Sequence, residues 1–157
     1  MDCSGINWAV GGLIIGLGLG LKAKRPLMEM ARSFATQLAR DSTKMVLVVR
    51  NDLGMGKGKV ASQCAHAAVQ CYIEGQQNQR DIILQWTMFG QPKVVLKANS
   101  EEELNSLYHK AKTQGLICCI IQDAGRTQLA SGTPTVLGVG PGHTRDVDKI
   151  TSHLKLY

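Results

Sequence analysis

One stretch constrains this chain more than any other: KMVLVVRNDLGMGKGKVASQCAH, Lys44 to His66. Its opening, Met45-Val46-Leu47-Val48-Val49, is apolar without a break, rich in β-branched residues and short. Such a run fits a strand covered on both faces. A polar, glycine-rich turn follows from Asn51 to Gly58. A helical pattern begins near Lys59, where Val60, Cys64, Ala67, Ala68 and Cys71 recur at helical spacing and would face a core. Lys59, Gln63, His66 and Gln70 step along a different face. A lysine, an amide and an imidazole therefore line up beside a strand end, where α/β folds bind their ligands. Each also has an ordinary reading: a solvated lysine, a satisfied helix histidine, a plain turn.

A phosphate loop would need Gly, four residues, then Gly-Lys-Ser/Thr. Ahead of Gly58-Lys59 the first position is Leu53, and Val60 follows. Ahead of Gly56-Lys57 it is Asn51, and Gly58 follows. Neither frame supplies the first glycine or the metal-binding hydroxyl, so nucleotide hydrolysis by that route is excluded.

The chain has 157 residues, enough for one domain with a real core. Aromatic residues are only 4%, so that core must be mainly aliphatic. A net charge of +6 suits a polyanionic partner without requiring one. The five cysteines include no C-x-x-C pair, which argues against a zinc site. Cys64 and Cys71 would stand about 10 Å apart along a helix, too far to bridge. A reducing compartment is expected.

Residues 5–21 carry no charge, and Lys22, Lys24 and Arg25 follow at once. As a helix the run would be about 25 Å long, slightly short of a hydrocarbon core. We expect an N-terminal transmembrane anchor with its basic flank over 1–25 and a linker over 26–43. The basic flank places the remainder of the chain on the cytoplasmic side. Gly12, Gly16 and Gly20 have a spacing that lets such helices pair, so a homodimer is one expectation.

Beyond the first long helix, Arg80 to Phe89 reads as a short helix and Lys93 to Ala98 as a strand. Ser100-Glu101-Glu102-Glu103 has capping-box spacing and opens a helix that runs to Gly115. Leu116 to Ile121 is a second fully apolar strand. It runs straight into Asp123, with Gly125 and Arg126 behind it: a functional loop, or a turn aspartate bonding its own backbone. Thr135 precedes a strand over Val136 to Pro141, and a last helix spans Thr144 to Leu154. Alternating helices and strands predict a compact three-layer α/β domain over 44–157. We expect a mixed four-stranded sheet with helices on both faces.

Several motifs occur in order: Arg50-Asn51-Asp52-Leu53, Met55-Gly56-Lys57-Gly58-Lys59, Gln63, His66-Ala67, Gly90-Gln91-Pro92-Lys93, Asp123 through Gln128, Thr135-Val136-Leu137-Gly138 and Gly140-Pro141-Gly142. In these the chain resembles the type 2 peptidyl-tRNA hydrolase family of archaea and eukaryotes, from Lys44 to Tyr157. Its N-terminal run is similar to that of the mitochondrion-associated eukaryotic members. The resemblance implies hydrolysis of the ester joining a peptide to the 3′ ribose of tRNA, with no metal and no cofactor. It implies Lys59, Asp123 and Thr135 as catalytic residues. Lys57, Lys93 and Arg126 are candidates for tRNA phosphate contacts, with Gln63 and His66 beside the site. It further implies an outer mitochondrial membrane location with the domain facing the cytosol, the cytoplasm being the alternative. Two other functions compete: a membrane-tethered scaffold in cell-death control, and a tRNA binder without catalysis. The sequence departs from the family at Gly54, where a lysine is often found, and at Pro134.

Overall fold

The computed structural model describes residues 27–30, 32–33, 42–125 and 129–157. Residues 27–30 and 32–33 are helical and exposed. The expected membrane helix over 5–21 lies outside the described residues. Among the described residues no helix is long and apolar enough to cross a membrane. Residues 41–157 form a unit separate from residues 1–40.

That unit opens with β1 (Thr43–Arg50), a single 3₁₀ turn (Asn51–Leu53) and the long α1 (Lys57–Asn78). It continues with α2 (Arg80–Met88), β2 (Lys93–Ala98), α3 (Glu101–Thr113) and β3 (Cys118–Gln122). β4 (Pro134–His143), α4 (Thr144–Thr151) and β5 (Lys155–Leu156) complete it. The sheet order is β3-β4-β1-β2-β5. β1 pairs in parallel with β2 and antiparallel with β4, while β3 joins β4 and β5 joins β2 antiparallel. The sheet is mixed, as expected, but among the described residues it has five strands and not four. The extra strand is β5. The last helix ends at Thr151, short of Leu154, and the chain turns so that Leu156 pairs with Leu96 and Lys155 with Lys97.

Strand alternation builds two cores from one strand. Met45, Leu47 and Val49 of β1 meet Val60, Cys64, Ala67 and Cys71 of α1, with Ile83 and Trp86 of α2. Val46 and Val48 turn to the other face, onto Leu104, Leu107 and Ala111 of α3 and Val147 and Ile150 of α4. Helices thus cover both faces. The adjacent Cys118 and Cys119 divide the same way, one into each core. Where α1 crosses β4 the contact is close: a Cβ on Gly138 would lie 2.5 Å from Cys71 Sγ. Cys71 Sγ is itself 3.3 Å from Cys119 Sγ. The expected capping box forms at α3, with one shift of partner. Ser100 Oγ accepts from the Glu103 N–H at 3.1 Å, but Glu103 Oε2 accepts from the Asn99 N–H, at 2.7 Å.

Candidate active site

Three segments end together at one end of the sheet. β1 finishes at Arg50, β3 runs out into Asp123, and β4 starts at Pro134. The register makes this necessary, since Val49 is opposite Val136 and Val136 is opposite Ile121. α1 begins just beyond β1 and packs across β4 and β3, which brings its first turns over the same place.

Lys59 Nζ there meets Asp123 Oδ2 at 2.8 Å, with the two side chains 13% and 7% exposed. Asp123 Oδ1 accepts from the Gly125 N–H at 2.8 Å. Its backbone is held as well: its N–H donates to Thr133 and its carbonyl accepts from Gly132, both at 2.8 Å. Gly125 sits at φ +74°, and a Cβ on it would meet the Ser131 backbone at 2.9 Å, so the loop requires glycine. The Lys59 ammonium, and after it the Gly125 N–H, hold the Asp123 carboxyl below its ordinary pKa.

One turn along α1 from Lys59, Gln63 reaches the start of β4. The Thr135 hydroxyl donates to Gln63 Oε1 at 2.6 Å, and the Ile121 carbonyl oxygen lies 3.1 Å away as a second acceptor. Thr135 is fully buried, at 0% exposure. A hydroxyl has a single proton, and the shorter bond gives it to Gln63. With its oxygen so engaged, Gln63 has its amide nitrogen left to donate.

The remaining candidates scatter. His66 is exposed and lines a groove with Gln63, Gln70 and Glu74 of α1 on one side and β3 beside it. Lys57 is exposed in the first turn of α1. Lys93 lies at the other end of the sheet, opposite Met45, about 17 Å along the strand from Arg50. It donates to the Gln91 carbonyl at 2.9 Å and covers the Trp86 ring, and burial lowers its pKa. Arg126 lies outside the described residues. Among the described residues no cluster of His, Cys, Asp and Glu could hold a metal ion.

Sequence reasoning gave no role to Arg50, which the structure places under the site. Its guanidinium donates to Asp52 Oδ2 at 2.6 Å, Glu101 Oε2 at 2.8 Å and the Pro134 carbonyl at 3.2 Å. It thereby ties the start of β4, next to Thr135, to the end of β1. Asp52 raises the Arg50 pKa, and Arg50 lowers that of Asp52. The available signal was an arginine closing a wholly apolar strand, which must find acceptors.

Residues 43–157 match the family described as peptidyl-tRNA hydrolase PTH2. Over 114 residues the chain is 59% identical to human "Peptidyl-tRNA hydrolase 2, mitochondrial", covering 73% of this chain and 64% of that protein. The chain thus spans less than two thirds of the length of that relative. It is 50% identical over 113 residues to "Peptidyl-tRNA hydrolase" of Methanocaldococcus jannaschii, covering 72% of this chain and 98% of that one. In fold it is similar to an Agrobacterium protein of unknown function, with a TM-score of 0.50 at 15% identity over 73% of this chain and 97% of the other.

Proposed function

The chain belongs to the peptidyl-tRNA hydrolase PTH2 family, and from that premise we propose that it hydrolyses the ester between peptide and tRNA 3′ ribose. The observation that carries this reading is the enclosed Lys59–Asp123 ion pair beside Gln63 and Thr135. Ester hydrolysis needs a directed water, a place for its proton and donors for the oxyanion. Asp123, kept ionised, orients the water and takes its proton as oxygen bonds to the carbonyl carbon. The proton then passes to the departing 3′ oxygen of the ribose. A low pKa makes Asp123 a weak base, so orientation is its larger share. The Gln63 amide nitrogen donates to the oxyanion. Thr135, too buried to touch substrate, positions Gln63. Lys59 keeps Asp123 charged and offsets the negative charge that develops.

Lys57, in the first turn of α1, is near enough to the site for the phosphates closest to the ester; Lys93 could serve only more distant ones. A scaffold or a non-catalytic binder needs no such enclosed carboxylate, which favours hydrolysis over both. Incubating the full chain with a peptidyl-tRNA and an aminoacyl-tRNA tests the reading. Release of tRNA from the first is expected. Salt-sensitive binding without release would point to the binder, and neither binding nor release to the scaffold.

The relatives named mitochondrial support a mitochondrial setting. The uncharged run 5–21, with its basic flank, supports attachment to the outer membrane with the domain facing the cytosol. Retention of the full chain in membranes after alkaline extraction is the expected result, and release into the supernatant would refute attachment through this run.

A further inference from the structure

Among the described residues β3 is the last strand on its side of the sheet, and the groove of about 760 Å³ runs along its open edge. The Gly140 N–H donates to the Ile117 carbonyl, and the Asp123 N–H donates to the Thr133 carbonyl. Odd-numbered residues therefore face β4, and the intervening Cys118 and Ile120 turn their N–H and C=O groups outward. Among the described residues neither pairs with another strand on that side. The groove's opposite wall is the row formed by the buried Gln63 and the exposed His66 and Gln70 of α1. One end opens at Ala124, next to Asp123. At the other, Glu74 of α1 and Lys112 of α3 meet at 3.3 Å across the edge.

We infer that this groove holds the peptide portion of the substrate, which adds to β3 as an extended strand through main-chain hydrogen bonds. The inference rests on the hydrolase reading. The scissile ester is at the peptide's C-terminus, so a peptide in the site must leave Asp123 with its amino end pointing away. β3 runs toward Asp123, so the peptide lies parallel to it, with its amino end toward Glu74 and Lys112. Five residues of strand make an edge about 17 Å long, room for about four or five extended residues. An enzyme acting on peptides of any sequence gains from this arrangement, because strand addition reads backbone and not side chains. Gln63 belongs to both the catalytic cluster and the groove wall, which makes the two continuous.

The test uses the full chain and one tRNA carrying acetyl-aminoacyl, dipeptidyl, tetrapeptidyl or hexapeptidyl groups with the same C-terminal residue. We expect kcat/KM to rise about tenfold or more up to four residues and then to level off. Methylating alternate backbone amides in one register should abolish the gain, and methylating the intervening ones should leave it. Gln70→Trp, which fills the groove from the helix side, should flatten the length dependence. Equal kcat/KM at all lengths, or a gain indifferent to methylation in either register, would overturn the peptide groove while leaving the hydrolase reading intact. A concentration-dependent dimer in sedimentation that Gln70→Trp dissociates would assign the edge to a second copy and also overturn it. Failure to cleave any length would end the hydrolase reading and this inference with it.

Discussion

Two lysine–aspartate pairs stand near opposite ends of β1, and they differ in almost everything but their chemistry. Lys44 and Asp148 pair near the start of the strand, 20% and 42% exposed. Lys59 and Asp123 pair beyond its end, 13% and 7% exposed. Water screens the first pair and supplies either partner with other contacts, so it is worth about 1 kcal/mol or less. The second is enclosed, tied to the Gly125 N–H, and set beside a buried threonine that fixes an amide. An ion pair by itself says nothing of function. Enclosure, a second fixed partner and a neighbouring donor at the end of the strands distinguish a site from a clasp.

The largest expected effect is at Asp123. Asp123→Asn should lower turnover of peptidyl-tRNA about a hundredfold or more, while Asp148→Asn stays within about twofold of wild type. Steady-state release of tRNA measures both. Thr135→Val should lower kcat about tenfold through Gln63, with KM little changed, and Thr135→Ser should restore it. Equal loss in the serine variant would mean that the methyl group, and not the hydroxyl, matters.

Arg50→Met comes next. It strips Asp52, Glu101 and the Pro134 carbonyl of their common donor and should cost about 2 kcal/mol in chemical denaturation. Lys44→Met, at the other end of β1, should cost about 1 kcal/mol or less. A larger loss at Lys44 than at Arg50 would invert the contrast between the two ends.

The contrast also has a pH dependence. The folded Asp123 pKa is depressed, so its contribution to stability is present above the unfolded carboxylate value, about 3.9, and is lost as pH falls through the lower folded value. Activity that depends on ionised Asp123 should likewise hold from neutrality down through that range. Lys59→Met removes the main cause of the depression and should move the acid limb of the pH–rate profile upward. An unmoved limb would mean that another group sets it.

Most of the fold could be read from periodicity. The apolar runs at 45–49 and 116–121 could hardly be anything but covered strands, and Ser100 marked a helix start that the structure keeps. β5 left no such trace, because Lys155 and Leu156 have no pattern of their own and are a strand only by pairing with β2. β4 was underestimated for a related reason. The expected strand stops at Pro141 and starts at Val136, yet it runs from Pro134 to His143, its far end carried on by pairing of Gly142 with Lys44 and of His143 with Thr43. In the site, the row Lys59, Gln63, His66 and Gln70 was legible because helical spacing alone creates it. The contact of Lys59 with Asp123 was not, since it depends on α1 crossing β4 to reach β3. Nor was the fully buried position of Thr135, whose hydroxyl is spent on Gln63 and not turned to the surface.

The central claim is that the enclosed pair, and not the exposed one, performs the chemistry. Release of tRNA from one peptidyl-tRNA by the full chain, by Asp123→Asn and by Asp148→Asn tests it in a single comparison. The account predicts cleavage by the wild type and Asp148→Asn and its near-complete loss in Asp123→Asn. Turnover by Asp123→Asn within about threefold of wild type, against the much larger loss expected for the group that directs the water, would contradict it.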